Sequence, residues 1–140
     1  MSPERPVVLS LEDDPPSQRF VGRLLARLPV QPVLVSVPAQ AIELARQVQP
    51  KLLMLGSMPA GISVWEVLAL LRADSPGRDL RVMILSTRDS GAERLVAANV
   101  AQVDLFLAKP FDPLTLGRNI LRLLDLPIDD DSWLASKGTG

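Results

Sequence analysis

The sequence contains no cysteine and no histidine. The absence of cysteine excludes a disulfide framework, a thiolate nucleophile and a cysteine-type zinc site. The absence of histidine excludes imidazole-based acid–base relays, Ser-His-Asp triads and most other zinc chemistry. Any chemistry of this chain therefore has to come from carboxylates, hydroxyls, amides and the basic groups of lysine and arginine.

The chain also lacks an apolar run of membrane-spanning length and a strong net charge. Its first residues do not show the basic and then apolar pattern of a signal peptide, so we expect a cytoplasmic protein that does not enter the membrane. The formal net charge of -1 gives no overall field to attract nucleic acid. A length of 140 residues fits one domain, which can bury roughly two-thirds of the surface of the unfolded chain without covalent support.

The stretch from Lys51 to Pro59 predicts a central strand. Four consecutive apolar residues, Leu52 to Leu55, stop at a turn of small residues, which is typical of a strand covered on both faces. Further strand-like runs occur on both sides of it. The predicted strands are Val7–Leu11, Val33–Val37, Leu52–Leu55, Leu80–Leu85 and Asp104–Ala108.

Helix-like segments alternate with these strands. Asp14-Pro15 and Asp112-Pro113 are typical helix starts, because aspartate accepts from first-turn amides and proline needs no hydrogen-bond partner at the first helical position. Ser63 and Glu66 fit a capping box. The predicted helices cover residues 15–28, 41–48, 63–71, 90–99 and 113–124. Short connections between strands and helices predict a doubly wound α/β fold, with helices on both faces of a five-stranded parallel sheet.

The composition changes near the end of the last predicted helix. We assign residues 1–126 to one domain. Residues 127–140 include the acidic segment Asp129 to Asp131 and show no helical or strand periodicity. We interpret them as an acidic tail or the start of a linker.

The ends of four predicted strands should form a common site. Glu12 and Asp13 follow the first strand, Gly56 ends the third, Ser86 ends the fourth, and Lys109 ends the fifth. The carboxyl ends of parallel strands lie at one edge of a sheet, so we expect these residues to converge there. A carboxylate pair, a hydroxyl and an amine are typical of a site for Mg²⁺ and a phosphoryl group.

Across residues 7–125 the chain resembles a bacterial response-regulator receiver domain. The resemblance rests on Leu11 to Pro15 as the acidic motif, Val82 to Ser86 as the strand with a switch hydroxyl, and Phe106 to Pro113 as the strand with its lysine. It implies a flavodoxin-like fold with strand order 2-1-3-4-5. It also implies a role in two-component, phosphorelay signal transduction as a signalling module and not as an enzyme.

One position departs from the pattern of this family. In receiver domains the third strand ends in the aspartate that takes phosphate from a histidine kinase, and an ungapped alignment places Gly56 there. Ser57 follows, but continued strand geometry would point it to the opposite face. We therefore expect a pseudo-receiver in which Lys109 pairs with Asp13 or Glu12. With one carboxylate fewer, Mg²⁺ should bind weakly or not at all, and no other cofactor is expected.

The resemblance also implies a docking face. It would be formed by the predicted helix 90–99, the last strand and the last helix, near Ala92, Leu95, Phe106 and Arg118. We expect protein–protein interaction that is independent of phosphorylation, with a protein partner, a fused output domain or a second copy. Nucleic-acid binding by this segment is not expected, because a helix-turn-helix would have to follow the last helix.

Other interpretations remain open at this stage. The acidic motif could be a solvated loop with a helix cap, Ser86 a simple strand end, Lys109 a surface lysine and Phe106 an ordinary half-buried aromatic residue. The domain could also be a phosphoacceptor that uses a displaced residue. A flavodoxin-like cofactor binder is a further alternative, although Glu12, Asp13 and Asp14 would repel a flavin phosphate.

Overall fold

Five parallel strands form one sheet in the computed structural model, which describes residues 5–73, 80–86, 103–109 and 112–128. The strands are β1 (Val7–Leu11), β2 (Gln31–Val35), β3 (Leu52–Leu55), β4 (Arg81–Ser86) and β5 (Leu105–Ala108). The helices are α1 (Pro15–Leu25), α2 (Pro38–Val48), α3 (Val64–Ala73) and α4 (Pro113–Leu123). The strand order is β2-β1-β3-β4-β5, which confirms the predicted topology.

The central strand β3 is buried along its whole length and contributes to both cores. Leu52 and Met54 belong to the core that packs against α1 and α4. Leu53 and Leu55 belong to the core that packs against α2 and α3. Successive side chains of a strand point to opposite faces, so a strand covered on both sides must be apolar at every position.

The second strand lies two residues earlier than predicted. It is Gln31–Val35 and not Val33–Val37, and Gln31 pairs with Val7. Pro32 is tolerated inside this strand because β2 is at the edge of the sheet. Val37 instead caps the amino end of α2, with Pro38 at the start of the helix. The apolar pattern near Val37 therefore belongs to a helix start and not to the sheet.

Helix α3 begins as the sequence predicted, with one difference. The Ser63 hydroxyl accepts a hydrogen bond of 3.2 Å from the Trp65 amide. Within the described residues, the return bond from Glu66 that would complete a capping box is not formed. The predicted helix 90–99, which contains Ala92 and Leu95, and the acidic segment 129–131 lie outside the described residues.

No helix in the described ranges combines the length and the apolar character that crossing a membrane requires.

Candidate functional site

The carboxyl ends of β1, β3 and β5 bring Glu12, Gly56 and Lys109 to one edge of the sheet. The Gly56 amide donates to the carbonyl of Leu11 at 2.8 Å, and the Lys109 amide donates to the carbonyl of Ser86 at 2.6 Å. These backbone bonds continue the parallel pairing by one residue beyond the strands. The positions of the three residues are therefore fixed by the sheet.

Glu12 forms a buried ion pair with Lys109. Its side chain is only 1% exposed, and its Oε1 atom lies 3.0 Å from Lys109 Nζ. The other oxygen, Oε2, accepts from the amides of Asp14 at 3.0 Å and Ser57 at 3.1 Å. A buried carboxylate is tolerated when a cation and hydrogen-bond donors surround it in this way. Of the two partners expected for Lys109, the structure selects Glu12.

The Lys109 ammonium is surrounded by three oxygen atoms. Its Nζ lies 3.0 Å from Glu12 Oε1, 3.1 Å from Ser17 Oγ and 3.3 Å from Ser57 Oγ. The lysine side chain is 12% exposed. An ammonium group has three N–H donors, so these contacts use its full donor capacity.

The Glu12 carboxylate lies directly over Gly56. A Cβ atom built on Gly56 would overlap Glu12 Oε1 and would lie 2.7 Å from Glu12 Cδ. A packed interior does not accommodate such an overlap without moving one of the groups. Glycine at position 56 is therefore what allows Glu12 to occupy this volume.

The expectation that Ser57 points away from the site was wrong. Strand β3 ends at Leu55, so the alternation of side chains does not extend to Ser57. The Ser57 hydroxyl contacts Lys109, its amide donates to Glu12, and its carbonyl accepts from the Asp13 amide at 2.9 Å. Ser57 thus connects the loops that follow β1 and β3.

Ser17 belongs to the site although no sequence motif indicated it. Asp14 caps α1, as predicted, and its Oδ2 accepts from the Ser17 amide at 3.1 Å and from the Ser17 hydroxyl at 2.6 Å. With its proton directed at Asp14, the Ser17 hydroxyl accepts from Lys109. The signal in the sequence was the three-residue spacing from the cap. The neighbouring Gln18 side chain donates to the carbonyl of Val35 at 2.8 Å and ties α1 to β2.

The two aspartate caps predict a loss of stability in acid. Hydrogen bonds from the Ser17 hydroxyl and amide hold the pKa of Asp14 below its ordinary value of 3.8. Hydrogen bonds from the Thr115 amide and hydroxyl do the same to the pKa of Asp112, which caps α4. The unfolded chain then binds more protons than the folded one. The stabilisation is complete above about pH 5, declines as the pH passes the ordinary value of 3.8, and is lost below the lowered folded-state values.

Urea unfolding at a series of acidic pH values should show this decline. Asp14→Asn and Asp112→Asn each keep a capping side chain but cannot titrate, so each should make the decline less steep. An unchanged pH dependence in both variants would contradict the assignment.

The other predicted site residues lie around the ion pair and along β5 and α4. Asp13 is exposed next to Glu12, and Ser86 is half-buried at the end of β4. Phe106 is half-buried on β5 and packs against the core formed with α2 and α3. Arg118 is exposed on α4. The acidic pair is thus divided into a buried residue and a residue at the rim.

The residues present do not fit a divalent cation. Mg²⁺ prefers an octahedral set of oxygen ligands that includes carboxylates. Both oxygens of Glu12 already accept from N–H donors, Gly56 has no side-chain oxygen, and the Lys109 ammonium lies 3.0 Å from Glu12 Oε1. In the described ranges, no three acidic side chains form a cluster that could hold a metal ion.

Comparison with curated proteins shows similarity in sequence to a response regulator. The chain is 32% identical over 125 residues to response regulator MprA of Mycobacterium leprae (strain TN). The match covers 89% of this chain and 54% of MprA, so the chain spans about half the length of this relative. No family model matches the chain.

Solved structures of other proteins share the fold of this chain. The chemotaxis protein CheY4 of Vibrio cholerae has a TM-score of 0.77 and 19% identity, over 85% of this chain and 98% of that one. A DNA-binding response regulator of the LuxR family from Staphylococcus aureus has a TM-score of 0.72 and 21% identity, over 84% and 98%. The chain is thus similar in sequence to part of a response regulator, and it shares its fold with these solved structures.

Proposed function

We propose that this receiver domain acts in two-component signalling as a protein-recognition module whose docking does not depend on phosphorylation. The observation that carries the proposal is the glycine at the end of β3, with the Glu12 carboxylate lying over it. A phosphoacceptor has to present a nucleophilic oxygen to the phosphoryl donor. Gly56 has no side chain with which to do so.

The state of Lys109 supports the same proposal. In a phosphorylated site a lysine would contact the phosphoryl oxygens. Here all three donors of the ammonium contact protein oxygens, on Glu12, Ser17 and Ser57. A phosphoryl group would have to break these bonds and would approach the carboxylate of Glu12. The hydrogen-bond donors of Lys109 are therefore already satisfied by residues of the site itself.

One observation favours a second candidate, a receiver that uses a displaced acceptor. The Glu12 carboxylate occupies the volume that a side chain at position 56 would fill, and it lies next to Lys109. Against this candidate, Glu12 is 1% exposed and both of its oxygens accept hydrogen bonds. A phosphodonor could reach it only after the ion pair had opened, so we rank this candidate second.

Treatment with small phosphodonors separates the two candidates. The chain is incubated with acetyl phosphate and Mg²⁺, and separately with beryllofluoride, and is then followed by intact mass and by amide NMR spectra. We expect no added phosphoryl group and no shift of amide signals near Gly56, while a receiver with an acceptor aspartate responds in a parallel reaction. A mass increase would contradict the proposal, and its loss in Glu12→Gln would identify Glu12 as the displaced acceptor.

The partner of the module is proposed from the docking face of the family. Its described members here are Phe106 on β5 and the exposed Arg118 on α4. The proposed partners are a fused output domain, a separate protein or a second copy of the chain. We propose that docking requires neither Mg²⁺ nor another cofactor. The oligomeric state in sedimentation should be the same with and without acetyl phosphate.

A further inference from the structure

We infer that the Lys109 ammonium is the resident cation of this site, and that its pair with Glu12 excludes both divalent ions and any side chain at position 56. The inference concerns the same pocket as the proposed function. It rests on the proposed function in one respect, because both require that residue 56 has no carboxylate. It goes further because it predicts which substitutions open the pocket to a metal.

Lys109 supplies the positive charge of the pocket and is fully coordinated by oxygen atoms. Its Nζ has three oxygen neighbours between 3.0 and 3.3 Å, one of which belongs to a buried carboxylate. The charges of Glu12 and Lys109 cancel. A divalent ion that took Glu12 as a ligand would bring two more positive charges next to the ammonium, where screening by water is weak. The ion pair therefore offers no net negative charge to a second cation, and Asp13 at the rim is the carboxylate next to it that remains.

The Glu12 carboxylate occupies the volume above Gly56. A side chain at position 56 and the present position of Glu12 exclude each other, because the Cβ atom would overlap Glu12 Oε1. Glu12 is held there by Lys109 and by the amides of Asp14 and Ser57. A carboxylate added at position 56 would therefore compete with Glu12 for this volume. Shortening the side chain at position 12 should remove the competition.

Four proteins test this inference: the natural chain, Glu12→Asp, Gly56→Asp and the double variant Glu12→Asp/Gly56→Asp. Binding of Mg²⁺ is measured by calorimetry and binding of Mn²⁺ by electron paramagnetic resonance, after circular dichroism has shown that each variant is folded. In the double variant the short carboxylates at positions 12 and 56 can converge with that of Asp13 on one metal ion. It should bind at least about tenfold more tightly than Gly56→Asp, which has the same number of carboxylates but keeps the longer Glu12 side chain that reaches Lys109. Glu12→Asp controls for shortening alone and should bind more weakly than the double variant.

A second measurement uses the natural chain and does not depend on the folding of any variant. The carboxyl carbon signal of Glu12 and the ammonium signal of Lys109 should not shift when Mg²⁺ is added. Saturable Mg²⁺ binding that moves these signals would overturn the inference. Gly56→Asp binding as tightly as the double variant would overturn it as well, since Glu12 would then not hold the volume.

These results are distinguishable from a failure of the proposed function. If the natural chain bound Mg²⁺ but took no phosphoryl group, the resident-cation inference would be wrong and phosphorylation-independent docking would stand. If the chain were phosphorylated by acetyl phosphate, the proposed function would fail whatever the metal affinity.

Discussion

Replacing Lys109 with methionine should lower the free energy of unfolding by about 3–5 kcal/mol, because removing one partner of a buried ion pair leaves a buried charge without compensation. Glu12 is 1% exposed and would keep only its two amide donors. Methionine fills a similar volume, so the loss would not come from a cavity. Urea unfolding at neutral pH measures the effect.

Lys51→Met is the matched control. Lys51 is an exposed lysine directly before β3, so it lies at the amino-terminal end of the strand, whereas the site lies at the carboxyl end. A surface substitution of this kind should change the stability by no more than about 0.5 kcal/mol. The double variant Glu12→Gln/Lys109→Met, which has no charge at the site, should be more stable than Lys109→Met alone. Equal effects of the two lysine substitutions would show that the ion pair is not buried in solution.

Replacing Gly56 with alanine should also destabilise the domain, by about 1–3 kcal/mol, which is the usual cost of forcing extra atoms into a packed site. The added Cβ would overlap the Glu12 carboxylate, which would have to shift away from its present contacts with Lys109 and the two amides. The structural reason can be checked by a double-mutant cycle. In a Glu12→Ala background there is no carboxylate to displace, so the additional cost of Gly56→Ala should largely disappear.

Asp13→Ala provides the control background for this cycle. Asp13 is adjacent to Glu12 but exposed, so its removal should leave the cost of Gly56→Ala unchanged. If the cost were the same in all three backgrounds, glycine at position 56 would be needed for a reason other than the position of Glu12.

Much of the fold followed from local patterns in the sequence. The run Leu52 to Leu55 identified the central strand, because burial on both faces requires apolar side chains at every position. The aspartates before Pro15 and Pro113 identified two helix starts, and both act as caps. The second strand was misplaced because Val37 continues an apolar alternation. Only the pairing of Gln31 with Val7 and the start of α2 reveal where the strand ends.

The sequence predicted which residues form the candidate site better than it predicted the contacts between them. Strand order alone brings Glu12, Gly56 and Lys109 to one edge of a parallel sheet. Which carboxylate pairs with Lys109 depends on side-chain packing, which periodicity does not encode. The role of Ser57 was not predicted, because the alternation of side chains between the two faces of the sheet ends where β3 ends. The role of Ser17 depends on a hydroxyl that is oriented by a helix cap.

The central claim is that the pair of Glu12 and Lys109 fills the pocket over Gly56. Its most direct test is a crystal structure from crystals grown with Mg²⁺ and beryllofluoride. We expect the Glu12 carboxylate over Gly56, within hydrogen-bonding distance of Lys109 Nζ, with neither a metal ion nor a fluoride adduct between them. Density for Mg²⁺ bound by Glu12 and Asp13, with the Lys109 side chain turned away, would contradict it.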